Sequence, residues 1–211
     1  MRGRRAWYGA PPISYHSSGR TGRSIPLPKM SNLTLTQAQA DMRSGYFDGA
    51  PGLLVSGLAW LVSGLFAVFV SPGSAVLALL VGGAVIHPLS VLGAKILGRS
   101  GTHSQGNPLA RLAIEGTIWL LAGIAIAYAM QVLRVEWFFP AMLLLIGGRY
   151  LTFQSLYGLR IYWICGAALC VAGFGLGLVR APIFVSVFVG SAIELIFATL
   201  IFSKARRQGA A

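Results

Sequence analysis

Apolar residues dominate six stretches of the chain, near 52–70, 75–97, 109–131, 139–158, 161–179 and 182–202. Each is close to the roughly 20 residues that a helix needs to cross a bilayer core. The breaks between them carry turn chemistry: Ser71-Pro72-Gly73-Ser74, the polar run from Gly98 to Pro108, and Arg180-Ala181-Pro182. Only Gly158-Leu159-Arg160 separates the fourth stretch from the fifth. The pattern predicts an all-α, polytopic transmembrane helix bundle of six spans. Ahead of the first span, Thr36 and Gln39 resemble a capping box. They predict a short helix over 37–47, lying on the membrane surface and ending at Gly49-Ala50-Pro51-Gly52, with Met42, Tyr46 and Phe47 toward the lipid. The chain thus divides into a tail (1–29), a lead-in (30–50), a membrane domain (51–202) and a second tail (203–211).

Composition narrows the class. Of 211 residues, 55% are hydrophobic and 10% are charged, against roughly 25% charged in ordinary soluble domains. This excludes a soluble enzyme, a disordered chain and a nucleic-acid-binding domain. The net charge is +12. Residues 1–29 supply Arg2, Arg4, Arg5, Arg20, Arg23 and Lys29 and no acid. This Gly/Ser/Pro/Arg-rich stretch has no apolar periodicity, and the composition changes at Met30. It reads as codons upstream of the true start, with a lipid-binding tail or a transit peptide as the alternatives.

Charge also sets orientation. With an even number of spans, fifteen Lys and Arg fall on one side, and only Arg134 and Arg180 on the other. Leaving out the tail and Arg149, the count is eight against two. The positive-inside rule puts both termini in the cytoplasm of a cell with this protein in its inner or plasma membrane. Trp137, Phe138 and Phe139 are expected at the outer interface, and Tyr157, Tyr162 and Trp163 at the inner one. The expected partners are the bilayer and its anionic headgroups at the cytoplasmic face, with a homo-oligomer open to it and no nucleic acid.

The spans echo one another. Trp60-Leu61-Val62-Ser63-Gly64 resembles Trp119-Leu120-Leu121-Ala122-Gly123, and Leu79-Leu80-Val81-Gly82-Gly83 resembles Leu144-Leu145-Ile146-Gly147-Gly148. Val187-Phe188-Val189-Gly190-Ser191 is a weaker copy of the second motif. Tandem two-helix hairpins follow, in parallel repeat about an axis along the membrane normal. Small residues line Gly166, Cys170, Gly173 and Gly177 in one span and Gly83, His87, Ser90 and Ala94 in another. Such stripes let helix backbones approach where lipid removes the hydrophobic drive. Cys165 and Cys170 read as packing residues rather than a disulfide or metal pair.

Among the ionisable residues of the spans, the informative ones are His87, Glu115, Arg149 and Glu194. At about 1.5 Å per residue their depths are roughly 9–14 Å from the cytoplasmic boundary, so they can share one layer. Supporting polar residues are Ser90, Arg111, Thr152 and Ser155. An unpaired charge in hydrocarbon costs at least about 2.5–3.5 kcal/mol. The expected arrangement is therefore Arg149 bridging Glu115 and Glu194. The layer serves either as an ion-pair lock on helix register or as part of a solute or proton path. Pro88 is expected to kink the second span beside His87. The Gly98–Pro108 loop reads as a polar, flexible turn, or as an anion-holding loop through Arg99. No nucleophile–base pair, metal-ligand cluster or phosphate loop is apparent, so no catalytic residue, metal or cofactor is assigned.

Several segments resemble an uncharacterised family of small bacterial multi-pass membrane proteins, a domain of unknown function. They are Gly52–Val62, Ile86-His87-Pro88-Leu89-Ser90, the Gly98–Leu109 loop, Gly147–Phe153 and Tyr157-Gly158-Leu159-Arg160. The resemblance spans about residues 35–202 and implies a membrane protein, with no substrate or activity. Two functions fit these residues. One is passage of a small solute or ion through the buried polar layer. The other is a structural or accessory role in which buried charges only lock the packing.

Overall fold

The lead-in helix starts earlier than the sequence pattern suggests, because a different threonine caps it. A computed structural model of the chain describes residues 33–209; the expectations for 1–29 lie outside them. Thr34 accepts a hydrogen bond from the Gln37 backbone N–H through its hydroxyl, while the Gln37 side chain accepts from the Thr34 N–H. Two otherwise orphaned donors are satisfied reciprocally, and α1 runs Leu35–Tyr46. Thr36 is not the cap, and Gln39 is free to reach elsewhere.

α1 ends in a left-handed turn. Phe47, Asp48 and Gly49 have φ of 51°, 56° and 80°. Gly49 adopts this freely, but a left-handed non-glycine residue costs roughly 1–2 kcal/mol. Tertiary contacts hold the turn. Phe47 is buried 5.4 Å from Phe202 between ring centres, and the Tyr162 hydroxyl donates to the Asp48 carbonyl at 2.7 Å.

The remaining helices are α2 (Ala50–Phe69), α3 (Pro72–Ile96), α4 (Leu109–Leu133), α5 (Phe138–Tyr157), α6 (Ile161–Leu178) and α7 (Ile183–Gly209). Short 3-10 turns precede α2 and α5, and no strand occurs among the described residues. Ser71 caps α3 by accepting from the Ser74 N–H, and Pro72 opens it. Gly158 closes α5 at φ 67°. Five helical segments are long and apolar enough to cross a membrane: Leu35–Phe69, Pro72–Ile96, Leu109–Leu133, Ile161–Leu178 and Ile183–Arg207. The first owes its apolar character to α2. α5 is of spanning length, but Gly147-Gly148-Arg149 and Gln154 dilute its hydropathy.

α2 packs closely on both α3 and α7, and α5 on α6, while α4 leans chiefly on α5. The α6 stripe does what its small residues suggest. A Cβ on Gly166 would stand 2.6 Å from the Gly147 carbonyl oxygen, and one on Gly173 2.7 Å from that of Pro140. In α3 the expected stripe is displaced. Gly83 faces open space and His87 is exposed, whereas Gly82 presses on Ala59 and Gly93 on Pro51.

Most of the aromatic rings expected at the two interfaces pack against other helices. Phe138 and Phe139, at the start of α5, are fully buried, with Phe139 beside Trp60 at 6.3 Å. Tyr157 and Tyr162 stack at 5.5 Å inside the bundle. Of the inner set only Trp163 is exposed. The two repeated tryptophans also part company: Trp60 is 0% exposed and Trp119 78%.

Candidate functional site

The polar residues expected in one layer are distributed over separate environments. Glu194 is 0% exposed, on the α7 face that also buries Ser191 and Ala198. The Ser191 hydroxyl donates to the Gly57 carbonyl at 2.9 Å, which seats that face on α2. Around the carboxyl stand Ser56 and Trp60 of α2 and Tyr150 of α5, each turning a polar group toward it. Neither carboxyl oxygen completes a hydrogen bond of good geometry, nor does the Trp60 indole nitrogen.

Arg149 lies elsewhere. Its Nη2 donates to the Thr117 hydroxyl of α4 at 3.0 Å, and its guanidinium sits 5.4 Å over the Phe153 ring. Thr117 in turn donates to the Ala113 carbonyl, and Thr152 donates to the Arg149 carbonyl within α5. Nη1 of Arg149 is buried without a partner. Tyr150, not Arg149, is the α5 residue that faces Glu194. Successive helical positions are about 100° apart, so one residue cannot serve where its neighbour points. The expected Arg149 bridge to Glu115 and Glu194 is not formed, and no ion pair within 4 Å joins described residues.

His87, Glu115, Arg111 and Ser155 are exposed on the described chain, and Ser90 is half-buried against Gly52. The structure thus brings Arg149 to Thr117 and leaves Glu115 outside that contact. Ser56, Trp60, Tyr150 and Thr117 went unnoticed as site residues. Their only sequence signal was polar atoms recurring in otherwise apolar spans, with Ser56 and Trp60 one turn apart.

A second polar centre occupies one end of the bundle. Asp41 of α1 accepts from the Ser104 backbone N–H at 2.9 Å, from the Ser104 hydroxyl at 2.7 Å and from Asn107 Nδ2 at 2.7 Å. Asn107 also donates to the Ala38 carbonyl and accepts from the Leu109 N–H at the start of α4. Gly101 N–H reaches the Gly45 carbonyl, and Tyr46 bonds His103 Nδ1 at 3.0 Å. The 98–108 loop is therefore docked on α1, not a free turn. Gln39 and Arg43 tie α1 to the other half of the bundle, donating to the Ser155 and Tyr157 carbonyls at 2.9 and 2.6 Å.

Burial works to raise the Asp41 pKa, but the bonds from Asn107 and Ser104, with His103 nearby, hold it below the usual carboxylate value. A carboxyl with a depressed folded-state pKa stabilises above its unfolded pKa of about 3.9, and that contribution is lost as pH falls through the folded value. Asp41→Ala is expected to cost about 1–2 kcal/mol at pH 7 and to flatten this acid dependence. Melting of purified protein between neutral and acid pH checks both.

No group of three or more His, Cys, Asp or Glu side chains able to hold a metal occurs among the described residues. No match was found among curated proteins or among solved structures. The sequence pattern of a family of unknown function (DUF7010) matches residues 35–204, from the first residue of α1 to Lys204 near the end of α7. A match over that length, taking in the docked lead-in helix and every long helix, places this chain in family DUF7010.

Proposed function

We propose that the chain is a six-span protein of the cell membrane, with α5 as the sixth span, both termini cytoplasmic, and a structural or accessory role. The observation that carries this reading is the enclosure of Glu194. Its carboxyl is sealed between α2, α5 and α7, with no exposed surface. Orientation draws support from the end of the bundle that gathers α1, the 98–108 loop and the end of α7. Arg43, Arg99, Arg160, Lys204, Arg206 and Arg207 lie there, while Arg134 and Arg180 lie at the other end. The tandem-hairpin reading rests on the sequence echoes alone, because Gly82 meets Ala59 of its own hairpin partner α2 while Gly147 meets Cys170 and Gly166 of α6, in the next hairpin. A second copy of the chain would cover His87 and Glu115, which otherwise meet lipid.

One observation favours the second reading, passage of a solute or proton. Both Glu194 oxygens and Arg149 Nη1 are buried without completed hydrogen bonds, and unsatisfied buried polar groups cluster where function demands them. Liposome flux separates the two. The accessory role predicts no ion or small-solute leakage above that of empty vesicles. It also predicts that Glu194→Gln, which keeps the shape, melts within about 1 kcal/mol of the parent. Flux that disappears in a stably folded Glu194→Gln protein would contradict it.

A further inference from the structure

At the basic end of the bundle a cavity of about 320 Å³ opens between α1, the left-handed turn, the loop after α3, and α7. Arg43, Ser44, Phe47, Asp48, Arg99 and Ala205 line it. A neighbouring hollow along α7 is lined by Leu200, Ser203, Lys204 and Arg207. Three cations, Arg43, Lys204 and Arg99, act electrostatically on Asp48, the one acid in the cavity wall. None forms an ion pair with it within 4 Å. The cations therefore outnumber the acid and are not consumed by it.

Two features preset the geometry. The Arg99 guanidinium lies 5.3 Å over the Phe47 ring, and Arg43 is anchored by its bond to the Tyr157 carbonyl. The wall itself is the strained turn at Phe47 and Asp48. Strain of this kind persists only where the surroundings over-determine it, and it concentrates at ligand clamps. A planar guanidinium lining the same cavity as a second cation suits the oxygens of a phosphate group. Phe47, Ala205 and Leu200 supply apolar surface next to the charge.

We propose that this cavity binds a phosphate group, gripped by Arg99 and Arg43 with Lys204 at its edge. The group belongs either to an anionic lipid headgroup or to a soluble phosphate compound. The assignment stands apart from the question of transport, because binding to detergent-solubilised protein requires neither flux nor a known orientation.

The test is native mass spectrometry of the purified full chain with phosphatidylglycerol or phosphatidylcholine. A thermal-shift titration with inorganic phosphate runs beside it. Phosphatidylglycerol is expected to bind at least about tenfold more tightly than phosphatidylcholine, and Arg99→Gln to remove most of that preference, as loss of one charge-assisted contact implies. Lys204→Gln, on the exposed side of α7, weakens binding less and decides the matter if Arg99→Gln fails to fold. Stabilisation by inorganic phosphate that Arg99→Gln or Lys204→Gln removes, without lipid preference, supports the site and identifies its ligand as soluble. Binding of both lipids and of phosphate that neither variant changes overturns the proposal.

Discussion

Gly166→Leu is expected to cost about 3 kcal/mol or more, the upper end of the overpacking range, and to separate α5 from α6. A Cβ at Gly166 would meet the Gly147 carbonyl oxygen at 2.6 Å and the Leu151 backbone nitrogen at 2.9 Å. Both are backbone atoms, so no side chain can rotate away, and the helices themselves must part. The facing position is as tight: a Cβ on Gly147 would lie 2.7 Å from Cys170 Sγ and 2.8 Å from the Gly166 carbonyl oxygen. In lipid, close backbone approach is the main source of helix association, so widening the gap removes the interaction itself. Gly148→Ala and Gly175→Ala are the controls. Nothing lies within 4 Å of either added methyl, and both are expected to stay near the parent. Reversible unfolding in mixed detergent micelles reads the difference.

Trp60→Ala is expected to cost about 3 kcal/mol, the lower end of the range for truncating a buried tryptophan. The lower end applies because a tryptophan leaving this core enters lipid, not water, and the hydrophobic transfer term largely drops out. What remains is lost packing. Trp60 is fully buried, touches Phe139 and fills the space opposite Gly190, where an added Cβ would come within 3.0 Å of the indole. It also walls the Glu194 carboxyl. The same unfolding assay measures the loss. Trp119→Ala, at the exposed counterpart in the sequence echo, is expected to change little.

Span positions were legible because length and hydropathy are properties of single segments. Five of the six stretches meet the criterion for crossing a bilayer, and the helix bounds fall within three residues of the pattern except at the end of α7, which continues to Gly209 through most of the expected 203–211 tail. The α6 glycine stripe was legible for the same reason, since spacing alone places its residues on one face. Partner choice was not legible. Nothing in the sequence said whether Gly82 or Gly83 would meet α2, or that Trp60 would be interior and Trp119 exterior. Those outcomes depend on which helix stands beside which.

The candidate site shows the limit more sharply. Rise per residue along each span put Arg149 and Glu194 at similar expected levels. Azimuth between helices is not written in a single segment, and the expected bridge is not formed. Electrostatics favoured pairing them, but Arg149 points to Thr117 and Tyr150 takes the place beside Glu194. The capping box missed by two residues because Thr34-x-x-Gln37 and Thr36-x-x-Gln39 satisfy one motif equally well. Docking of the 98–108 loop rests on Asp41, sixty-three residues from Ser104, a distance over which local pattern carries no information.

The central claim is that Glu194 is sealed inside the bundle. A hydrophobic carbodiimide, which enters bilayers and modifies carboxyl groups it can reach, tests this on protein in liposomes, with peptide mass spectrometry as the readout. Protein unfolded in dodecyl sulfate supplies the full-labelling reference. The account predicts that Glu194 in the folded protein stays essentially unmodified while the unfolded reference is labelled. Labelling of Glu194 in the folded protein at a rate near that reference would mean that a path reaches it, and the closed, accessory reading would be wrong.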